Sequence, residues 1–214
     1  MNVLVPVADA SEDIELACIT DVLVRAGATV VTASVMPEGR TKVKLARGLT
    51  LVADCTIKEC VGKQWDAIAL PGGMPGAEHL RDSAELKELL LAQASAGKCV
   101  GAVCASPAVV FGTHGLLPAR ATCFPVDKFK AIVGSGWEDS RVVLDGNVIT
   151  SQVLRTLSRS THLVHRLAAT HTPRVLAVRQ GPGTSLQFAL KIVEKLYSAE
   201  KAEELAKGLL CTTA

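Results

Sequence analysis

Short apolar runs alternate with helical patterns along most of this chain, and that alternation limits its fold more than any other feature. Residues 2–8 read as a strand. Residues 12–26 read as a helix with Ile14, Cys18, Ile19, Val22 and Val24 on its inward side, stopped by Gly27. A β-branched strand is predicted over 29–35, and a small hairpin over 43–45 and 49–52. Ala67–Leu70 is a buried strand that ends abruptly in Pro71-Gly72-Gly73. A helix over 84–96 leads to a second buried strand, Cys99–Val103, and to a helical stretch over 105–112. Residues 141–144 and 147–150, joined by Asp145-Gly146, give the clearest hairpin signal, and helices over 184–197 and 199–210 close the chain. Strands alternating with helices imply right-handed βαβ units and a mostly parallel sheet covered on both faces. A chain of 214 residues fits one such domain over 1–214. Ligands of these folds sit beyond the carboxyl ends of the strands. That rule selects three loops: the one after Ala8, the Pro71-Gly72-Gly73 turn and the turn at Cys104.

One stretch breaks the rhythm. Residues 153–180 carry Arg155, Arg159, Arg166, Arg174 and Arg179 but no Asp, Glu or Lys, and hold three of the five histidines. The formal charge of +2 becomes −3 when these five arginines are left out. Loops this long inside a domain are uncommon, so the segment reads as an insertion. Its first residue is Val, whose codons begin GT, and its last is Gln, which CAG encodes, so an in-frame translated intron is one account of it. A mobile loop with a short helix around 154–168, bearing no catalytic residue, is expected.

Several function classes are excluded. Aromatic residues make up 3% of the chain, too few for a base-stacking platform. A charge of +2 gives no electrostatic reason for a nucleic acid or membrane partner, and no apolar run approaches the roughly 20 residues that cross a bilayer. The opening Met1-Asn2-Val3-Leu4-Val5-Pro6-Val7 reads as a strand and not as a signal or transit peptide. The seven cysteines lack a framework spacing and are expected as reduced thiols in a cytoplasmic protein. Cys55 and Cys60 lack a second ligand pair for zinc, His79 and His114 are expected to be isolated and exposed, and no metal site is expected.

The chemistry concentrates at Lys98-Cys99-Val100-Gly101-Ala102-Val103-Cys104-Ala105-Ser106-Pro107. A buried strand runs straight into a helix with a cysteine at the turn, the layout of a nucleophile elbow. Pro107 suits the first helical turn, and a helix amino terminus favours the thiolate of Cys104. The alternative is a small core cysteine. The glycines of Pro71-Gly72-Gly73-Met74-Pro75-Gly76 present backbone N–H groups at the same end of the sheet and, with the Ala105 N–H, offer an oxyanion site. An ordinary tight turn is the competing reading. Glu15, amid Ile14, Leu16 and Ala17, either points over the sheet with a raised pKa or faces solvent as Glu12 and Asp13 are expected to.

Glu15 in Asp13-Ile14-Glu15, Ala69-Leu70-Pro71-Gly72-Gly73, Val103-Cys104-Ala105-Ser106-Pro107 and Gly181-Pro182-Gly183-Thr184-Ser185 together resemble the PfpI/ThiJ superfamily, specifically its DJ-one branch. The resemblance covers residues 1–152 and 181 to about 210, nearly all of the chain outside 153–180. It implies a flavodoxin-like three-layer α/β/α sandwich of the class I glutamine amidotransferase type, and a homodimer. It implies a site without cofactor in which Cys104 is the nucleophile and protonated Glu15 hydrogen-bonds the thiolate. Gly72, Gly73 and Ala105 fall on the backbone oxyanion loops, and Arg25 and Arg47 match arginines of an anion-holding dimer pocket. The implied activity is glutathione-independent conversion of a small α-oxoaldehyde, methylglyoxal or glyoxal, to lactate or glycolate, with deglycase action on glycated proteins in carbonyl and oxidative stress. The alternative function is a non-catalytic peroxide sensor and redox-regulated chaperone. Where many members carry a histidine near the nucleophile this chain has Phe124, which leaves a Cys-His-acid protease triad without its base.

Overall fold

The computed structural model describes residues 1–155, 180–181 and 183–213. In chain order the strands are β1 (Asn2–Val7), β2 (Thr29–Ser34), β3 (Lys42–Lys44), β4 (Thr50–Val52), β5 (Cys55–Thr56), β6 (Ala67–Leu70), β7 (Cys99–Val103), β8 (Val142–Asp145), β9 (Val148–Ser151), β10 (Leu154–Arg155) and β11 (Gln180–Gly181). The helices are α1 (Asp13–Arg25), α2 (Gly76–Asp82), α3 (Ala84–Ser95), α4 (Gly112–His114), α5 (Asp127–Val133), α6 (Ser185–Leu196) and α7 (Ala199–Gly208).

The apolar strands are apolar throughout because both faces of the sheet are covered. In β1, Val3, Val5 and Val7 enter one core cluster and Leu4 enters the other. In β6 and β7 the same alternation sends Ala67, Ala69, Cys99 and Val103 to the first cluster and Ile68, Leu70, Val100 and Ala102 to the second. The sheet order is β5-β2-β1-β6-β7-β9-β8, parallel except for β8, which pairs antiparallel with β9. Helices α1, α6 and α7 cover the first face through Leu16, Ile19, Leu23, Phe188, Ile192 and Ala202. Helix α3, the end of α2 and the turn Pro107–Phe111 cover the second through Leu80, Leu86, Leu90, Val110 and Phe111. This is the flavodoxin-like three-layer arrangement. Gly101 is needed inside β7 because a Cβ there would stand 2.9 Å from the Phe188 ring.

Several local expectations change. On α1 the buried set is Asp13, Glu15, Leu16, Ile19, Val22 and Leu23, while Ile14 and Val24 are exposed. The helix is turned so that its acidic start, and not its most apolar residues, meets the β6 loop. The stretch after Cys104 is a π-helical turn, Pro107–Phe111, before α4: the Gly112 N–H reaches back to the Pro107 carbonyl. Gly112 leaves room there for Ile132 of α5. Elements β5, α2 and α5 have no counterpart in the sequence reading. His114 is only half-exposed, its Nε2 lying 3.0 Å from the Arg81 carbonyl oxygen.

The segment read as an insertion starts two residues after the end of β9. Val153 is buried, and β10 then pairs antiparallel with β11, Leu154 opposite Gly181 and Arg155 opposite Gln180. The expected loop, its short helix and the histidines at 162, 165 and 171 otherwise lie outside the described residues. Among the described residues no helix is long and apolar enough to cross a membrane.

Candidate active site

The carboxyl ends of β1, β6 and β7 bring the three loops together. After β1 the chain turns through Ala10, at φ +60°, and Ser11, whose Oγ accepts the Ala8 N–H at 3.0 Å. Glu12 then caps α1 by accepting the Glu15 N–H at 2.9 Å. Asp13 accepts the N–H groups of Arg47 at 2.7 Å and Leu49 at 3.4 Å. Both acids are buried, contrary to the solvent-facing positions expected of them, because the helix start and the β3–β4 hairpin need carboxylate acceptors there.

Glu15 is 1% exposed. Its Oε2 accepts the Gly72 N–H at 2.7 Å, and its carboxyl is hydrogen-bonded to the Cys104 thiol. Burial raises its pKa to about 7, against the pull of the Gly72 N–H, and the nearby charge of Glu12 adds to the rise.

Cys104 sits at the apex of the β7 turn with φ +63°, a left-handed conformation rare outside glycine. The turn is held from both sides: the Cys104 N–H donates to the Ser151 carbonyl at 2.9 Å, and the Phe124 N–H donates to the Cys104 carbonyl at 2.6 Å. The side chain is half-buried, and the N–H groups of Gly73 and Ala105 donate to its sulfur. Ser106 Oγ donates to the Pro71 carbonyl at 2.5 Å and ties the two loops together.

The expectation of a freely ionising thiolate needs correction. Burial pushes the Cys104 thiol well up, and the charge of Glu15 adds to this, while the two backbone N–H groups pull it down. Two acidic groups in direct contact in a buried site disfavour charge on both at once, so their titrations are linked. The regular helix whose amino terminus was to favour the thiolate begins with a π-helical turn. The hydrogen bonds of Gly73 and Ala105 are the features that stabilise negative charge on sulfur.

Gly72 also departs from expectation. Its N–H is engaged by Glu15, so Gly73 and Ala105 are the donors that face the Cys104 sulfur. Gly72 is required for a different reason. A Cβ on it would lie 2.6 Å from Cys104 Cβ, 2.9 Å from Glu15 Oε2 and 3.0 Å from the Val103 carbonyl oxygen. Gly73, at φ +93°, packs its backbone against Ala10 and Glu12.

Neither the Arg25 nor the Arg47 side chain has a hydrogen bond or ion pair to Cys104 or Glu15 within one chain among the described residues. Arg25 is exposed at the far end of α1, its Nε 2.6 Å from Asp21 Oδ2. That is about 15 Å along the helix from Glu15. Arg47 is exposed at the hairpin tip. The exposed apolar residues Ile14, Val24, Leu49 and Val52 belong to the same two elements and their loop. Phe124 and Cys104 pack against the same apolar cluster, and the Phe124 ring lies edge-on to Phe129 at 6.4 Å, so among the described residues this wall of the site is apolar. Glu12 is the contributor that the sequence reading missed; three acids within four residues at a helix start were its signal. Among the described residues no group of three His, Cys, Asp or Glu is placed to hold a metal ion.

Comparison with known proteins gives the family. The family model described as "DJ-1/PfpI family" matches residues 1–162. The Arabidopsis thaliana "Protein DJ-1 homolog B" is 41% identical over 210 residues, covering 98% of this chain and 41% of that protein. Homolog A is covered over 46% of its length, so the chain spans less than half of these two plant relatives. The Caenorhabditis elegans "Glutathione-independent glyoxalase DJR-1.2" is 36% identical over 208 residues, covering 97% of this chain and 94% of that one. Among solved structures, "Toxoplasma gondii DJ-1, oxidized" superposes with a TM-score of 0.81 at 38% identity, covering 99% and 98% of the two chains.

Proposed function

Because the chain belongs to the DJ-1/PfpI family, we propose that it is a glutathione-independent glyoxalase acting on small α-oxoaldehydes through a Cys104/Glu15 dyad. One observation carries this reading: a buried carboxyl with its pKa raised to about 7 is hydrogen-bonded to a cysteine sulfur that two backbone N–H groups also face. A base poised near neutrality suits proton transfer at physiological pH.

In the proposed reaction the Cys104 proton passes to Glu15 along their hydrogen bond, and the sulfur attacks the aldehyde carbon of methylglyoxal. The C=O π pair moves to oxygen, and the Gly73 and Ala105 N–H groups stabilise the oxyanion. Glu15 gives its proton to that oxygen, forming a hemithioacetal. As a carboxylate it then takes the proton from the former aldehyde carbon and passes it to the neighbouring ketone oxygen, and an enediol forms. Glu15 next takes the hydroxyl proton from the sulfur-bearing carbon's oxygen and delivers it to the neighbouring carbon, which gives a lactoyl thioester that water cleaves to lactate and free thiol. Glyoxal gives glycolate by the same steps. Early glycation adducts of amines or thiols present the same carbon and fall within reach of this chemistry.

Lactate formation from methylglyoxal without glutathione is the direct test. The full chain and a chain in which Gln152 is joined to Gly181 by removal of 153–180 should both form lactate, the shorter one at least as fast. Absence of lactate from both would sink the assignment.

A second reading draws on the same sulfur. A half-buried cysteine beside a proton-donating carboxyl is also placed to hold a sulfinate formed by peroxide, and the Toxoplasma neighbour is described as oxidized. We further propose that the exposed apolar residues of α1 and the β3–β4 hairpin meet a second copy of the chain, which would gather Arg25 and Arg47 near the sites of a homodimer. Sedimentation equilibrium should give twice the chain mass; a monomer at all concentrations removes this role for the two arginines.

A further inference from the structure

A second sulfur pair lies at the edge of the sheet. Cys55 opens β5, the edge strand, and Cys60 ends the 3-10 turn Ile57–Cys60 that follows it. Their Sγ atoms are 3.5 Å apart. A disulfide needs about 2.05 Å, so closure asks for an approach of about 1.5 Å. The turn between them is already set. The Thr56 N–H and hydroxyl both lie 2.7 Å from Glu59 Oε2, and pairing of Cys55 with Ala33 and Thr56 with Ser34 fixes β5 to β2. The competing contacts of the two sulfurs are weak: Cys55 to the Thr32 carbonyl at 4.0 Å and Cys60 to the Thr56 carbonyl at 3.7 Å.

We propose that Cys55 and Cys60 form a dithiol modification site that closes to a reversible intramolecular disulfide when a hydroperoxide or a small-molecule disulfide oxidises it. Strands β2, β1 and β6 separate β5 from β7, a span of about 19 Å at the usual strand spacing, so this site is distinct from Cys104. It does not depend on the glyoxalase reading.

The order of events follows from access. Cys55 keeps part of its surface open, whereas Cys60 is fully buried. Burial and the neighbouring Cys55 also push the Cys60 thiol up to about 12, so Cys55 reacts first. Its thiolate attacks one peroxide oxygen, the O–O bond breaks, and a sulfenic acid forms while the other oxygen leaves with a proton, as water from hydrogen peroxide or as the alcohol from an organic hydroperoxide. The Cys60 sulfur then attacks the Cys55 sulfur, the S–O bond breaks, and the departing hydroxide leaves as water with the Cys60 proton. Two thiols lose two electrons and two protons, and the hydroperoxide takes them up. With a small disulfide as oxidant, Cys55 forms the mixed disulfide and expels one thiol, and Cys60 expels the other. Thr56, Ile57 and Lys58, three of the four residues between the two cysteines, wall a cavity of about 640 Å³ together with Met36 and Asp82. Closure therefore changes the shape of that wall.

Trypsin cleaves after Arg47, Lys58 and Lys63, which places Cys55 in peptide 48–58 and Cys60 in peptide 59–63. The folded protein is treated with hydrogen peroxide or oxidised glutathione, alkylated and digested. The two peptides should be recovered mostly as one linked species lacking two hydrogens, and dithiothreitol should separate them. Cys104→Ser should keep the link, and Cys55→Ser should lose it while Cys60 remains open to alkylation after unfolding. The wild-type map decides the matter even where a variant folds poorly. Recovery of the two peptides unlinked with both oxidants, whether unmodified or singly oxidised, overturns the proposal.

Discussion

Cys104→Ser should lower lactate formation by about 10⁴-fold or more, the scale on which loss of a nucleophile is felt in enzymes that use one. The substitution keeps the size of the side chain and the turn held by Ser151 and Phe124, so far-UV circular dichroism and the melting temperature should stay close to wild type. A serine hydroxyl beside Glu15 is far less readily ionised than a thiol, and Gly73 and Ala105 would face an oxygen that remains neutral. The same variant should show no sulfinate after peroxide, because the group that carries either activity is gone. Retained lactate formation in this variant would show that the chemistry runs elsewhere. A wild-type protein that oxidises at Cys104 and forms no lactate would favour sensing over turnover.

Glu15→Gln should reduce turnover by about 10²- to 10⁴-fold, the usual contribution of a positioned acid–base group. The amide retains the shape of the carboxyl but cannot carry a proton between sulfur and carbon. This variant should also change the pH dependence of stability. A carboxyl raised from 4.5 to about 7 keeps its proton in the folded chain after the unfolded chain has released it. Between those values the folded state binds more protons, so stability falls as pH rises through the window. The shift corresponds to roughly 3 kcal/mol, present below pH 4.5 and lost above about 7. Urea unfolding across that range should therefore show a downward slope in wild type that Glu15→Gln flattens. Parallel slopes in the two proteins would mean that the carboxyl titrates as an ordinary surface acid.

The strands covered on both faces were legible because burial leaves an unbroken apolar run: Ala67–Leu70 and Cys99–Val103 have the bounds read from sequence. The three loops followed from the order of strands and helices alone. The rest depended on contacts remote in sequence. Ile14 and Val24 are more apolar than Glu15, yet the angle at which α1 meets the β6 loop exposes them and buries the acid. Helix α2 starts at a Pro-Gly pair that reads as a turn, and β5 is two residues long, too short for any periodicity. The turn at Cys104 is legible, but its proton affinity is not: a helix terminus is visible in sequence, whereas burial against a second acid is not.

The pairing of β10 with β11 has a practical consequence. Residues 154–155 and 180–181 lie side by side, so the two ends that flank 156–179 meet in the same place whatever is threaded between them. Such a junction is a natural fusion port. A fluorescent reporter or affinity tag could be carried there while both termini are left unencumbered.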